Sequence, residues 1–238
     1  LAIFIAGIFV FLVSSWRILF YTRASCTDGV QNNGERGIDC GGSCSRLCAG
    51  EALPPLVHFT RAVETERGVW GAVAYLENRT KGAGVASAPF VIKLYDTQNI
   101  LVAERHGVVS VPAETTFALF EGALLTGDRV PSRATFEFTA PLVFDRVAER
   151  PALRQSNQHF ESGAVSRLEA TLGNPSFAPL TNISVTALLF GADGNVFAAL
   201  ETEVPSLSGL GSVSLSFSWP RPLPAPARIE LLSRVQTP

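Results

Sequence analysis

Methionine is absent from the chain, histidine occurs three times in 238 residues, and charged side chains make up only 17% of it. Each shortage removes a class of function. His58, His106 and His159 lie far apart with no partner at metal-ligand spacing, so each reads as an ordinary strand residue. A formal net charge of -2, with Lys and Arg scattered, leaves no electrostatic footprint for nucleic acid. Basic residues gather only over positions 146–154, where Asp145 and Glu149 interleave with them in the pattern of a solvated linker. A nucleophile elbow, a paired-histidine zinc motif and a phosphate loop are all missing. The run LSGLGSVS lacks the strand-then-helix setting of a phosphate loop, and its glycines read as a turn. No pair of carboxylates stands out for glycoside hydrolysis. The expectation is a protein that is not an enzyme. The missing methionine and the start at Leu1 are read as those of a fragment or processed product.

One long hydrophobic run is present. LAIFIAGIFVFLVSSW carries no charge before Arg17, and ILFY follows before Arg23. A membrane span needs roughly 20 apolar residues, so residues 1–22 are expected to form a transmembrane helix. Arg17 snorkels toward the interface, and Trp16 and Tyr21 anchor that end. A cleaved signal peptide is the first alternative, with a cleavage site only weakly offered by YTRAS. The second is a pilin-like assembly helix, although Ile5 stands where pilins usually carry glutamate.

Cysteine is confined to one stretch. CTDGVQNNGERGIDCGGSCSRLC holds Cys26, Cys40, Cys44 and Cys48 at a C-x13-C-x3-C-x3-C spacing. Zinc modules prefer two C-x2-4-C pairs held well apart, whereas here the last three cysteines form a single ladder, so disulfides are expected and a metal-thiolate site is the alternative. Four cysteines allow three pairings, which spacing does not resolve. Val30, Ile38 and Leu47 are too few to build a core, and two disulfides would staple residues 25–50 into a neck. Inside the first cysteine loop, Asp28, Asn32, Glu35 and Asp39 sit among glycines. Oxygen ligands on a tight loop suit calcium, while the same residues are ordinary turn formers. No other cofactor is expected.

The pattern C-x-D-G-x-x-N-x-x-E-x-G-x-D-C-G-G-x-C over residues 26–44 resembles a short Cys-rich module of bacterial surface and secreted proteins. It is similar in particular to membrane proteins of candidate-phylum bacteria in which a transmembrane helix precedes it. The resemblance implies that the chain from about residue 24 onward lies outside the cytoplasm. This agrees with where disulfides persist.

From residue 54 the chain turns to short β-branched and aromatic runs divided by Gly, Pro, Asn and Asp. VWGAVAYLEN, PFVIKLYD, ILVAERHGVVSV, FALF and ATFEF are expected strands, and no stretch beyond the N-terminal segment sustains a helical period over three turns. The second half repeats the first. KLYDTQNILVAE aligns with LFGADGNVFAALE at a shift of 95, and YLEN with TLGN at a shift of 96. Gln98-Asn99 and Gly194-Asn195 are expected hairpin turns. A unit of about 90 residues has the size of a seven-stranded sandwich. The strand KLYD resembles that of Ig- or fibronectin-like sandwiches with an F-x-L-Y-D signature, from which LFGAD departs at Gly191.

The expected fold is therefore mainly β: an N-terminal transmembrane helix, a disulfide-stapled neck, and two tandem Ig/fibronectin-like antiparallel sandwiches. These sandwiches are placed at residues 54–145 and 153–238, joined by a linker at 146–155. The stretch PRPLPAPA is expected to be a loop or an edge, with a Pro-rich ligand as the alternative. Two sequons, at Asn78 and Asn182, matter only in a glycosylating host. Trp70 and Trp219 read as packing residues. The expected role is a membrane-anchored, extracytoplasmic structural or interaction protein. Its partners would be the lipid bilayer, through residues 1–22, and an envelope or surface protein. A minor pilin-like filament subunit is the alternative.

Overall fold

The computed structural model describes residues 25–148 and 152–235. The expected transmembrane helix lies outside the described residues, as do Glu149, Arg150 and Pro151 of the expected linker. The chain divides into two compact units, Leu1–Glu51 and Ala52–Pro238. The described part of the first consists of turns and one isolated bridge, Gly37 to Cys40.

The second unit is built from antiparallel strands. In its first half these are β1 (Leu56–Glu66), β2 (Val69–Asn78), β3 (Ala83–Tyr95), β4 (Leu101–Val111), β5 (Thr115–Leu124), β6 (Arg133–Phe138) and the two-residue β7 (Asp145–Arg146). The second half contributes β8 (Arg154–Glu161), β9 (Ser166–Gly173), β10 (Leu180–Phe190), β11 (Val196–Leu207), β12 (Ser212–Trp219) and β13 (Arg228–Val235). Pairing follows one plan twice. Orders β1-β2-β5 and β4-β3-β6 in the first half recur as β8-β9-β12 and β11-β10-β13 in the second. The internal repeat is thus a repeat of topology, with two sheets per half in a sandwich-like arrangement. Each half has six main strands, one short of the size expected. β7 is only a brief addition to the start of β3, pairing Ala83 with Arg146 and Gly84 with Asp145.

Side-chain alternation explains which strands line one core and which line two. In β12 Leu215, Phe217 and Trp219 are buried while Ser212, Ser214, Ser216 and Ser218 face solvent, the signature of a half-buried strand. β10 is instead buried continuously from Ile183 to Phe190. Ile183, Val185, Ala187 and Leu189 point into the core of their own half with Leu168, Leu172 and Trp219. Leu188 and Phe190 point the other way, onto Val63, Val73 and Ala118 of the first half. The two sandwiches therefore pack sheet against sheet. The expected linker is correspondingly short: Arg146 is already in β7 and Arg154 opens β8.

Both hairpin turns fall where expected. Asp96 N–H donates to Ile100 O and Asn99 N–H to Asp96 O. Gly191 N–H donates to Asn195 O and Gly194 N–H to Gly191 O, in the same geometry. Asn99 and Gly194 both take the left-handed conformation (φ 62° and 77°) that these residue types tolerate best. The stretch PRPLPAPA is a loop.

Candidate functional site

In the first unit Cys26 pairs with Cys44 and Cys40 with Cys48. The two bridges overlap in sequence. Gly42 takes φ 58°, and a Cβ there would lie 1.9 Å from Gly34 O. The second glycine of C-G-G-x-C thus lets two backbone segments touch between the bridges. Arg36 and Gly37 donate their N–H groups to Cys40 O, and Arg36 Nη1 donates to Glu51 Oε1 at 2.8 Å. Val30 and Ile38 are exposed, so the bridges and hydrogen bonds, not an apolar core, hold this segment.

The four oxygen-bearing residues singled out for calcium are brought together. Asp39 Oδ1 accepts from Asp28 N–H and Gly29 N–H at 2.9 and 3.1 Å. Asp28 accepts from the N–H groups of Ser25 and Val30 and from Asn32 Nδ2, and these bonds hold its carboxyl below the usual range, that from Asn32 most. Glu35 Oε2 accepts from Asn32 N–H and Asp39 N–H, both at 3.2 Å. The carboxylates thus act as acceptors for the backbone of their own loop, while Asn32 Oδ1 is buried without a hydrogen-bond partner. A further candidate cluster, Cys26, Glu35 and Cys44, has its two sulfurs bonded to each other, so it offers no thiolate.

The second unit holds a polar and apolar seam between its sandwiches. Phe59 stacks on Tyr75 with centroids 5.0 Å apart and meets Phe190 edge-on. Tyr75 Oη donates to Glu230 Oε1 at 2.8 Å, linking β2 to β13, and burial followed by this bond pushes its pKa up to about 12. Arg221 Nη1 bonds Glu64 Oε2 at 3.1 Å across the same seam. Toward one end, Arg234 is buried 3.8 Å from Glu201, whose Oε2 also accepts from Thr186 Oγ1 at 2.8 Å. Burial raises the Glu201 carboxyl above its ordinary value, with Arg234 opposing. Glu121 on β5 is likewise raised by burial, against the pull of Arg105 and Arg234.

A cleft of about 620 Å³ lies beside this cluster, walled largely by small and aliphatic residues such as Gly84, Ala113 and Leu232, with Ser110 and Arg234 among its polar ones. Among the described residues lining it, none pairs a nucleophile with a base. The three histidines remain apart, each beside a glutamate: His58 with Glu77, His106 with Glu104 and His159 with Glu161. Of the two sequons, Asn78 is buried and Asn182 is exposed. Trp219 is fully buried in the second core, as its reading as a packing residue requires.

Sequence reasoning missed the seam residues Tyr75, Glu230, Glu201 and Arg234. The signal was present in β2, where Val73 and Tyr75 on one face and Ala72 and Leu76 on the other call for cover on both sides.

No known protein-family model matches the chain, and no curated protein matches it. Among solved structures, a red sea bream transglutaminase aligns at 13% identity and a TM-score of 0.24, over 75% of this chain. The aligned part spans 29% of that chain, and a likeness this weak bears on neither fold family nor function.

Proposed function

We propose that the chain is a membrane-anchored, extracytoplasmic structural or interaction protein: a spacer, an adhesive module or an accessory subunit of an envelope complex. Residues 1–22 form its transmembrane helix and residues 25–50 its neck, and the two sandwiches belong to the Ig/fibronectin-like class. The observation that carries this reading is the pair of disulfides, Cys26–Cys44 and Cys40–Cys48, in a segment without an apolar core. Such a segment keeps its fold only where thiols stay oxidised, which is outside the cytoplasm. The sheet-to-sheet seam supports a spacer role, because Tyr75–Glu230 and Arg221–Glu64 tie the sandwiches into a stiff block. Its partners are the lipid bilayer and an envelope or surface protein.

The test is labelling of intact cells with a membrane-impermeant thiol reagent, before and after reduction by a membrane-impermeant reductant. Labelling that appears only after external reduction supports the reading. Labelling that needs lysis but no reductant overturns it.

A further inference from the structure

The two sandwiches close one end with the same backbone geometry and opposite chemistry. In the first, Glu114 has φ 44° and donates its N–H to Thr80 O at 3.2 Å. In the second, Leu210 has φ 56° and donates its N–H to Ser176 O at 2.8 Å. The residues following Thr80 and Ser176 are Lys81 and Phe177. The first tip therefore carries an ion pair, Lys81 with Glu114 at 3.9 Å. The second carries Phe177 and Leu210, 88% and 62% exposed.

This apolar tip is held firmly. Asn174 is buried and donates Nδ2 to Ala178 O at 2.8 Å and to Ser208 O at 3.2 Å, joining the β9–β10 and β11–β12 loops. A Cβ at Gly209 would lie 2.0 Å from Phe177 O, so the loops are in backbone contact there. Charge is also excluded along the sequence: none occurs between Glu169 and Asp193, nor between Glu203 and Arg221. Arg154 lies at this end, opposite Gly173 on β9.

We propose that this tip inserts Phe177 and Leu210 into the interfacial layer of a lipid surface. The two side chains expose roughly 250 Å² of apolar surface, well short of the about 800 Å² per partner that a stable protein interface buries. That area suits shallow insertion, in which Phe and Leu enter the acyl boundary and charged groups are disfavoured. Arg154 is the kind of long cation that reaches headgroup phosphates from behind such a tip. The inference rests on the second sandwich alone and is independent of residues 1–22 being an anchor.

The test places an environment-sensitive fluorescent amino acid at position 177 of the full chain, and at position 81 in a parallel preparation as the equivalent tip. Each is mixed with phosphatidylcholine vesicles containing brominated acyl chains. The expected result is a blue shift and quenching at 177, absent at 81, insensitive to salt, and lost when the probe at 177 is combined with Leu210→Glu. No quenching at 177 overturns the proposal, as does equal quenching at both positions. A spectral change that follows protein concentration without lipid also overturns it, in favour of a second copy covering the tip. Far-UV circular dichroism checks that each variant keeps its strands.

Discussion

Asn78 and Asn174, 96 positions apart, perform one task twice. Each is buried at the end of the second strand of its sandwich. Asn78 Nδ2 donates to Ala83 O and Pro112 O, and its Oδ1 accepts from Thr80 N–H. Asn174 Nδ2 donates to Ala178 O and Ser208 O, and its Oδ1 accepts from Ser176 N–H. One side chain in each half thus satisfies backbone groups of two loops.

Replacing either asparagine with alanine leaves these buried carbonyls unpaired. Asn78→Ala and Asn174→Ala are each expected to cost about 2 kcal/mol. Urea unfolding followed by circular dichroism measures the loss. A cost within a few tenths of zero would show that water replaces the amide.

Gly209→Ala places a methyl group against Phe177 O, where a Cβ has only 2.0 Å. The loops must part, with a drop of about 1–3 kcal/mol in stability. Gly127→Ala is the control for backbone strain, since φ there is 58° and nothing lies within 4 Å. Calorimetry of both variants separates crowding from strain.

Tyr75→Phe removes the hydrogen bond to Glu230 while keeping the ring stacked on Phe59. The seam is expected to weaken by about 1–2 kcal/mol. A double-mutant cycle with Glu230→Ala, which removes the acceptor, assigns the loss to the pair. Additive single losses would mean the two groups do not interact.

The seam carboxylates give stability a pH dependence of definite sign. Burial raises Glu201 above its ordinary value of 4.5, so the folded state binds its proton more tightly than the unfolded chain does. This contribution is fully present below about pH 4.5 and is lost as pH rises through the raised folded value. Asp28 and Asp96 are lowered and act oppositely, their contribution fading as pH falls below the ordinary 3.8. Glu201→Gln is therefore expected to flatten the decline above pH 4.5 without touching the acid limb. Melting temperatures from pH 3 to 8 test this, and an unchanged slope above pH 4.5 contradicts it.

Much of the β architecture was legible because its signals are local. Gln98-Asn99 and Gly194-Asn195 marked both hairpins through turn chemistry. YLEN against TLGN revealed the repeat, and its asparagines prove to be the structural reason for that match. The seam was harder to read, since Tyr75 and Glu230 are separated by 155 positions and only the fold brings them together. The pairing of the cysteines was not legible for the same reason: spacing permits three arrangements, and the backbone contact at Gly42 is invisible in one dimension. Asp28, Asn32, Glu35 and Asp39 were legible as a cluster and as turn formers, but not which loop N–H groups the three carboxylates accept from, nor that Asn32 Nδ2 donates to Asp28.

An oxidised neck with overlapping bridges underlies the proposed location of the whole protein. Protein from its native cells, alkylated at lysis and mapped by mass spectrometry after partial reduction, tests it most directly. No free thiol and the linkages Cys26–Cys44 and Cys40–Cys48 are expected. Four alkylated cysteines would contradict it, and would return a thiolate metal site to the neck.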